Sequence, residues 1–465
     1  MYRFGEPREL IDSSYEELIL NGQSLHNHKP SLYGRFGEVF KHPELATIPQ
    51  EQILVFTEDK NAIKPVTINI GYPPKSFCWL ISAAQGGGKS GLVKALMDML
   101  FLRGFKFLCL EPKGFDFVTM NIPQDDPRAF DVLKRFGLKP KAYHLASAIP
   151  SFIEDPFIHA TPYKLDVADF NSLPKLTRWW TWSKFLGIEE LSNPGKALQR
   201  VLSMSATDEK GRIQEGPKNI NQMIDFTGLD IEQERAKRRG QGAPPMVSTS
   251  LLYLLQQKIM TNELGVGMPY NFVKAMVQND MLILHTPFDS KNISSMNTYI
   301  SVAINQLIQD RTIYIKTNHR KGNLTQPIVV VVEEADALIA KGIDNLAKHI
   351  LYSIPARFRH IGISLILITQ NPGLIDDKFV RLCNLIFTTQ VNSPEQIKLM
   401  GLRGVPRFLV ENKLKRLDWS VEHPTKEWGI LDIENVGEVK TGYPIWPCTK
   451  LLKQGEGLSP IPSLV

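Results

Sequence analysis

Residues 77–92, FCWLISAAQGGGKSGL, constrain the fold of this chain more than any other stretch. A short apolar run, 77–82, has the character of a buried parallel strand. It passes directly into a glycine-rich turn, and the turn opens a helical pattern over 91–102. Strand, glycine-rich turn and helix in that order are the context a phosphate-binding P-loop requires. Glycines let backbone N–H groups turn inward and approach phosphate oxygens without a Cβ in the way. The helix N-terminus adds its partial positive charge at the same place. The pattern predicts that Ala84, Gln85, Gly86, Gly87, Gly88, Lys89, Ser90 and Gly91 cradle a nucleotide's phosphates. Lys89 is expected to reach the β- and γ-phosphates, and the Ser90 hydroxyl to bind Mg²⁺. Ala83 stands where the motif usually opens with glycine. An ordinary glycine-rich βα turn is the alternative, and the two correct flanks weigh against it.

Further along, 105–110 reads as a second strand, with Glu111-Pro112-Lys113-Gly114 directly after it. Polar residues just past a strand's C-terminal end face the ligand crevice of a doubly wound sheet, which makes Glu111 and Lys113 candidates for the edge of the site. A plain Pro/Gly turn is the other reading. Residues 328–332 are almost purely β-branched, as in a strand buried on both faces, and run into Glu333-Glu334-Ala335-Asp336. This is the Walker B arrangement. Glu333 is expected to hold Mg²⁺, and Glu334 to orient and deprotonate the attacking water. Another buried strand, 363–369, ends in Gln370, where a γ-phosphate sensor is expected; a cap on the turn before Pro372 is the alternative. Arg357 and Arg359 close the preceding helical pattern. They read either as cations at a helix C-terminus or as arginine fingers for a neighbouring subunit's nucleotide.

With 465 residues the chain exceeds one simple core. No run approaches the roughly 20 apolar residues of a membrane span, and MYRFGEPRELID is unlike a signal peptide, so a cytoplasmic protein without direct membrane insertion is expected. The four cysteines have no metal-ligand spacing and read as buried reduced thiols. A net charge of +6 permits a nucleic-acid partner without arguing for one.

The expected organisation is a small N-terminal β-rich or mixed module over 1–70, an α/β core over 71–114 and 276–400, a mainly helical insertion over 115–275, and a C-terminal β-hairpin and tail over 401–465. Within the insertion, Trp179, Trp180 and Trp182 read as core aromatics or as a base-stacking platform. The basic run 235–239 closes a helix expected to open at the acidic Asp230. It reads as a solvated helix end, with DNA contact as the alternative.

Four blocks in order resemble the HerA/FtsK superfamily of P-loop ATPases, which includes conjugative ATPases, coupling proteins and viral packaging motors. They are residues 83–90, EPKG at 111–114, VVEEAD at 331–336, and RFRHIGISLILITQNP at 357–372. Glu111 and Glu333 each stand where that family usually has Asp. The spacing to Gly362 and Gln370 aligns the family's arginine with Arg359. The resemblance spans about 66–114 and 280–400. It implies a RecA-like core, ATP with Mg²⁺ bound between subunits of a ring, typically a hexamer, and DNA in the central channel. A membrane or capsid partner is a further implication. Three functions are expected in turn: a DNA translocase, a secretion-type ATPase of the same fold acting on protein, and a nucleotide-binding switch with little turnover.

Overall fold

The computed structural model describes residues 49, 51–58, 64–71, 76–84, 86–113, 116–153, 160–171, 173, 175–189, 191–207, 213–237, 246–265, 270–287, 293–318, 327–357, 359–418, 426–432 and 438–451. The helix expected near 15–20, the turn at 435–437, the basic residues 238–239 and 319–323, and the tail from 454 lie outside them.

The strands in chain order begin with β1 (Gln52–Thr57), β2 (Pro65–Asn69), β3 (Cys78–Ser82), β4 (Lys106–Glu111), β5 (Leu145–Pro150), β6 (Thr161–Tyr163) and β7 (Ser205–Thr207). They continue with β8 (Ile213–Glu215), β9 (Met281–His285), β10 (Ile328–Val332), β11 (Ile363–Thr369), β12 (Leu385–Thr388), β13 (Trp428–Asp432) and β14 (Val439–Pro444). The described chain forms two compact units. One comprises 148–272 and 288–307; the other comprises the remaining described residues, 49–147, 273–287 and 308–451.

The larger unit carries strands in the order β2-β1-β14-β13-β12-β3-β11-β10-β4-β9. From β12 to β9 every neighbouring pair is parallel. Each of these six strands except β4 is buried throughout, and β4 is buried at all but its first residue. That is why they read as continuous apolar runs and not as alternating ones. The P-loop strand β3 does not touch the Walker B strand β10, because β11 lies between them. One strand between those two is the order of a RecA-like P-loop NTPase fold, and the fold is of that kind.

The remaining four strands are antiparallel. β13 and β14 form the expected hairpin, and its outer edges pair with β12 and β1. β1 and β2, expected within an N-terminal module, therefore extend the same sheet. Helix α1 (Lys89–Leu102) follows β3, lies against β1 and β14, and is buried continuously from Gly91 to Phe101. The 117–145 segment also packs into this core through Phe117, Met120, Leu133, Phe136 and Tyr143. The second unit consequently begins at 148, later than the 115 expected.

That second unit is mainly helical, with helices Val167–Asn171, Lys175–Leu186, Asn193–Ser203, Ile220–Lys237 and Met246–Met260. Two small β elements accompany them. Residues 148–150 of β5 pair in parallel with β6, and β7 pairs antiparallel with β8. Trp182 is fully buried and stacks on Phe170 at 3.8 Å, so it serves packing and presents no face to a base. The helix expected to open at Asp230 begins ten residues earlier, at Ile220. Asp230 is thus mid-helix and buried, receiving two 2.8 Å hydrogen bonds from the Arg200 guanidinium. Among the described residues of the basic run, Arg235, Ala236 and Lys237 are exposed at the helix end.

Candidate nucleotide-binding site

The glycine-rich turn has the backbone its composition demands. Gly88 caps α1 in the left-handed region at φ 78°, where a side chain is strained. A Cβ on Gly87 would lie 2.7 Å from Ala83 Cβ and 2.8 Å from Ala84 O. The turn is therefore closed to anything larger than glycine at that point. Lys89 folds over it, donating to the carbonyls of Ala83 and Ala84 at 2.8 Å each. Burial, and then the like charge of Lys113, lower the Lys89 ammonium to about 8. Of the expected cradle residues, Gln85 lies outside the described residues.

Parallel strands deliver their C-terminal ends to one edge, and this places the other groups. Lys89, Ser90, Glu333, Glu334 and Gln370 line one cleft that opens to solvent. The cleft also takes in Lys113, expected at its edge, and Asp116, which sequence reasoning missed. Glu111, the other edge candidate, is fully buried. Its Oε1 accepts from the Phe117 amide at 2.8 Å, so it fixes the loop and does not face the cleft.

The two Walker B carboxylates differ in setting. Glu333 is 6% exposed, and its Oε2 is buried without a hydrogen-bond partner among the described residues. Its Oε1 receives the Lys113 ammonium at 2.9 Å. Burial, and the nearby carboxylate of Asp116, push Glu333 up to about 9. Glu334 is the N-cap of a short helix, Ala335–Leu338, with φ 48° and ψ 48°. A non-glycine residue held there stores about 1–3 kcal/mol of strain, a feature that clusters at functional sites. Its Oε1 lies 3.3 Å from Lys113 Nζ. Burial opposes the Lys113 charge, yet Glu333, Asp116 and Glu334 around it hold the ammonium above the ordinary lysine range.

Thr369 joins the strand ends. Its hydroxyl donates to Asp336 at 2.7 Å and accepts from the Asn371 amide at 3.0 Å, while its carbonyl accepts from the Ala83 amide at 3.4 Å. Gln370, next in sequence, is thereby tied both to the P-loop strand and to the turn bearing Glu334. Lys426, just before β13, was also not anticipated. It is 4% exposed and donates to the Gly86 carbonyl on the outer side of the P-loop.

Arg359 is not brought to this cleft. It lies in the 3-10 turn Arg359–Ile361, which enters β11 from the end opposite Gln370. Seven residues of extended strand separate those ends by about 20 Å.

No protein-family model and no curated protein matches this chain. Solved structures do resemble it. VirB4 of Thermoanaerobacter pseudethanolicus is 13% identical, with 84% of this chain and 96% of that one covered at a TM-score of 0.49. The genome packaging NTPase B204 of Sulfolobus turreted icosahedral virus 2, in complex with ATP-gammaS, is 10% identical over 80% and 98% of the two chains, at 0.31. The bacterial conjugative coupling protein TrwB is 11% identical over 67% and 68%, at 0.36.

The donors in the cleft suit a hard divalent cation. Ser90, Glu333, Glu334 and Asp116 offer oxygen only, as Mg²⁺ prefers. The unpartnered Glu333 Oε2 is an acceptor already desolvated and waiting for a donor or a cation. No helix among the described residues is long and apolar enough to cross a membrane. All four cysteines are buried, and none forms a disulfide.

Proposed function

We propose that the protein is a Mg²⁺-dependent ATPase that works as a ring motor translocating DNA. The observation that carries the reading is the convergence of Lys89, Ser90, Glu333, Glu334 and Gln370 on one cleft at the C-terminal edge of a parallel sheet. In this reading the backbone of Gly86, Gly87 and Gly88 cradles the phosphates and Lys89 leaves the Ala83 and Ala84 carbonyls to contact the β- and γ-phosphates. Ser90 and Glu333 would hold Mg²⁺, which would supply positive charge against the phosphate oxygens. Glu334 accepts the proton of the attacking water, its strained backbone fixing the carboxylate's aim. Gln370 reads the γ-phosphate and passes its state through Thr369 to Asp336.

DNA as cargo rests on the resemblance of the four sequence blocks, and so does the ring. A motor of the same fold acting on protein is the alternative. A nucleotide switch fits less well, since pure binding has no use for a second, strained carboxylate at Glu334. Steady-state ATP hydrolysis with and without DNA, across a salt series, separates these readings. Stimulation by DNA that fades with salt is expected, because salt weakens phosphate-backbone tracking. Hydrolysis indifferent to DNA would point to protein cargo, and none in either condition to the switch.

The position of Arg359 supports a site shared between subunits. Its backbone lies at the far end of β11 from this cleft, so in this reading it acts on a neighbouring subunit's nucleotide. Arg359→Ala mixed with Lys89→Ala subunits should recover part of the turnover each lacks alone. No recovery at any ratio would remove Arg359 from the site.

A further inference from the structure

Three acidic side chains of the cleft share a single ammonium. Lys113 Nζ lies 2.9 Å from Glu333 Oε1, 3.3 Å from Glu334 Oε1 and 3.9 Å from Asp116 Oδ2. Lys113 is only half-buried, so its stem is free to swing toward solvent. Glu333, by contrast, is enclosed just past the end of β10. Its Oε1 accepts from Lys113, and its Oε2 is the orphan atom beside it.

From this geometry we propose that Lys113 is an internal competitor for the divalent cation, a positioning residue that metal must displace before Glu333 and Glu334 take up their roles. The inference rests on the reading of the cleft as a Mg²⁺–nucleotide site. A cation has the orphan Oε2 open to it; at ordinary Mg²⁺–oxygen distance, about 2.0–2.1 Å, it would set its charge beside the ammonium on Oε1 of the same carboxylate, and the two like charges repel. Lys113 therefore moves when metal binds. The loop after β4 supplies both the lysine and Asp116, so displacement frees a mobile cation and leaves a carboxylate behind. While the ion pairs stand, Lys113 competes with water for Glu334, whose side chain is 35% exposed. Hydrolysis before the metal is seated is thereby suppressed.

The test compares wild type with Lys113→Met, which keeps the stem and removes the charge, and with Lys113→Arg, which keeps the charge. Mn²⁺ binding is measured by electron paramagnetic resonance in the presence of a non-hydrolysable ATP analogue, with folding checked by circular dichroism. Lys113→Met should bind Mn²⁺ roughly three- to tenfold more tightly, the modest gain expected of a half-exposed ion pair. Lys113→Arg should stay near wild type. Lys113→Gln replaces the methionine variant if that one does not fold. Unchanged or weaker metal binding in a folded, uncharged variant overturns the inference while leaving the site intact. Failure of wild type to bind the metal–nucleotide pair overturns the reading of the site and this inference with it.

Discussion

Helix α1 contributes to two clusters built from the same residue types, and they behave differently. On the cleft side, Lys89, Lys113, Asp116, Glu333 and Glu334 meet at the sheet edge, partly exposed, with Glu333 Oε2 left unpartnered among the described residues. On the other side, Lys94 and Asp98 are almost wholly enclosed. Lys94 donates to Thr119 Oγ1 at 2.5 Å and to the Lys450 carbonyl at 3.1 Å. Asp98 accepts from the Tyr143 hydroxyl and, at 2.6 Å, from the Cys448 amide. Burial pushes Asp98 up to about 6 and Lys94 down to about 8. The inner cluster stitches the 117–145 segment and the chain after β14 to the P-loop helix, and its bonds are made once. The outer cluster has groups whose partners must change. Burial alone does not mark function; an unfilled bonding capacity beside solvent does.

Substitutions on the two sides should therefore fail in different ways. On the cleft side, Glu334→Gln should keep ATP binding and fold while losing about 10²–10⁴-fold in turnover, the range for a general base. Phosphate release against fluorescent-nucleotide affinity measures this, and unchanged turnover would take the base assignment from Glu334. On the inner side, Asp98→Ala leaves the Tyr143 hydroxyl and the Cys448 amide buried without their acceptor. Two such losses should cost about 2–4 kcal/mol of stability, read as a lower urea midpoint. Nucleotide affinity below the transition should be unchanged. If stability held and affinity fell, the two clusters would not be separable as described.

The cleft also carries opposed pH dependences. Lys89 must be charged to hold phosphates and is lowered to about 8, so metal-free ATP affinity should be full below that pH. Above it, affinity should fall by up to about tenfold per unit as the ammonium is lost. Glu333 must be ionised to hold metal and is raised to about 9. Mg²⁺ affinity in the nucleotide complex should accordingly climb as pH rises toward 9. Titrations between pH 7 and 9.5 check both. Parallel slopes would show that one group governs both ligands.

The cleft was legible in the sequence where a residue's role is set by its place on a strand. The apolar runs of β3, β10 and β11 fix strands buried on both faces, and residues just past the C-terminal end of such a strand must lie at the sheet edge. Glu333, Glu334 and Gln370 came from that reasoning, and Lys89 and Ser90 from the glycine-rich turn that follows β3. Asp116 and Lys426 did not, because no local pattern sets them apart from other loop residues. Asp116 has one signal, three residues beyond Lys113 on the loop after β4. Strand pairing was illegible for a similar reason. Alternation in 428–433 and 438–443 marks a hairpin, but not that its outer edges meet β12 and β1. The helix Ile220–Lys237 carries Gly228 in its interior, which weakens the helical pattern there and hid its first half. Asp230 then looked like a first-turn acid, when tertiary packing had paired it with Arg200.

Lys426 offers the finest distinction between holding and reacting. It reaches the P-loop from outside, donating to the Gly86 carbonyl, while phosphates are expected on the inner, N–H side of the same turn. Burial lowers its ammonium from the usual lysine range. A strap of this kind shapes the turn without touching the reacting atoms. Lys426→Met should weaken ATP binding about fivefold, close to the value of one hydrogen bond. The turnover number at saturating ATP should stay near wild type, and Lys426→Arg should restore most of the affinity. A fall in turnover with affinity intact would place Lys426 among the groups that act on the reacting phosphate, and the turn would need another explanation for its shape.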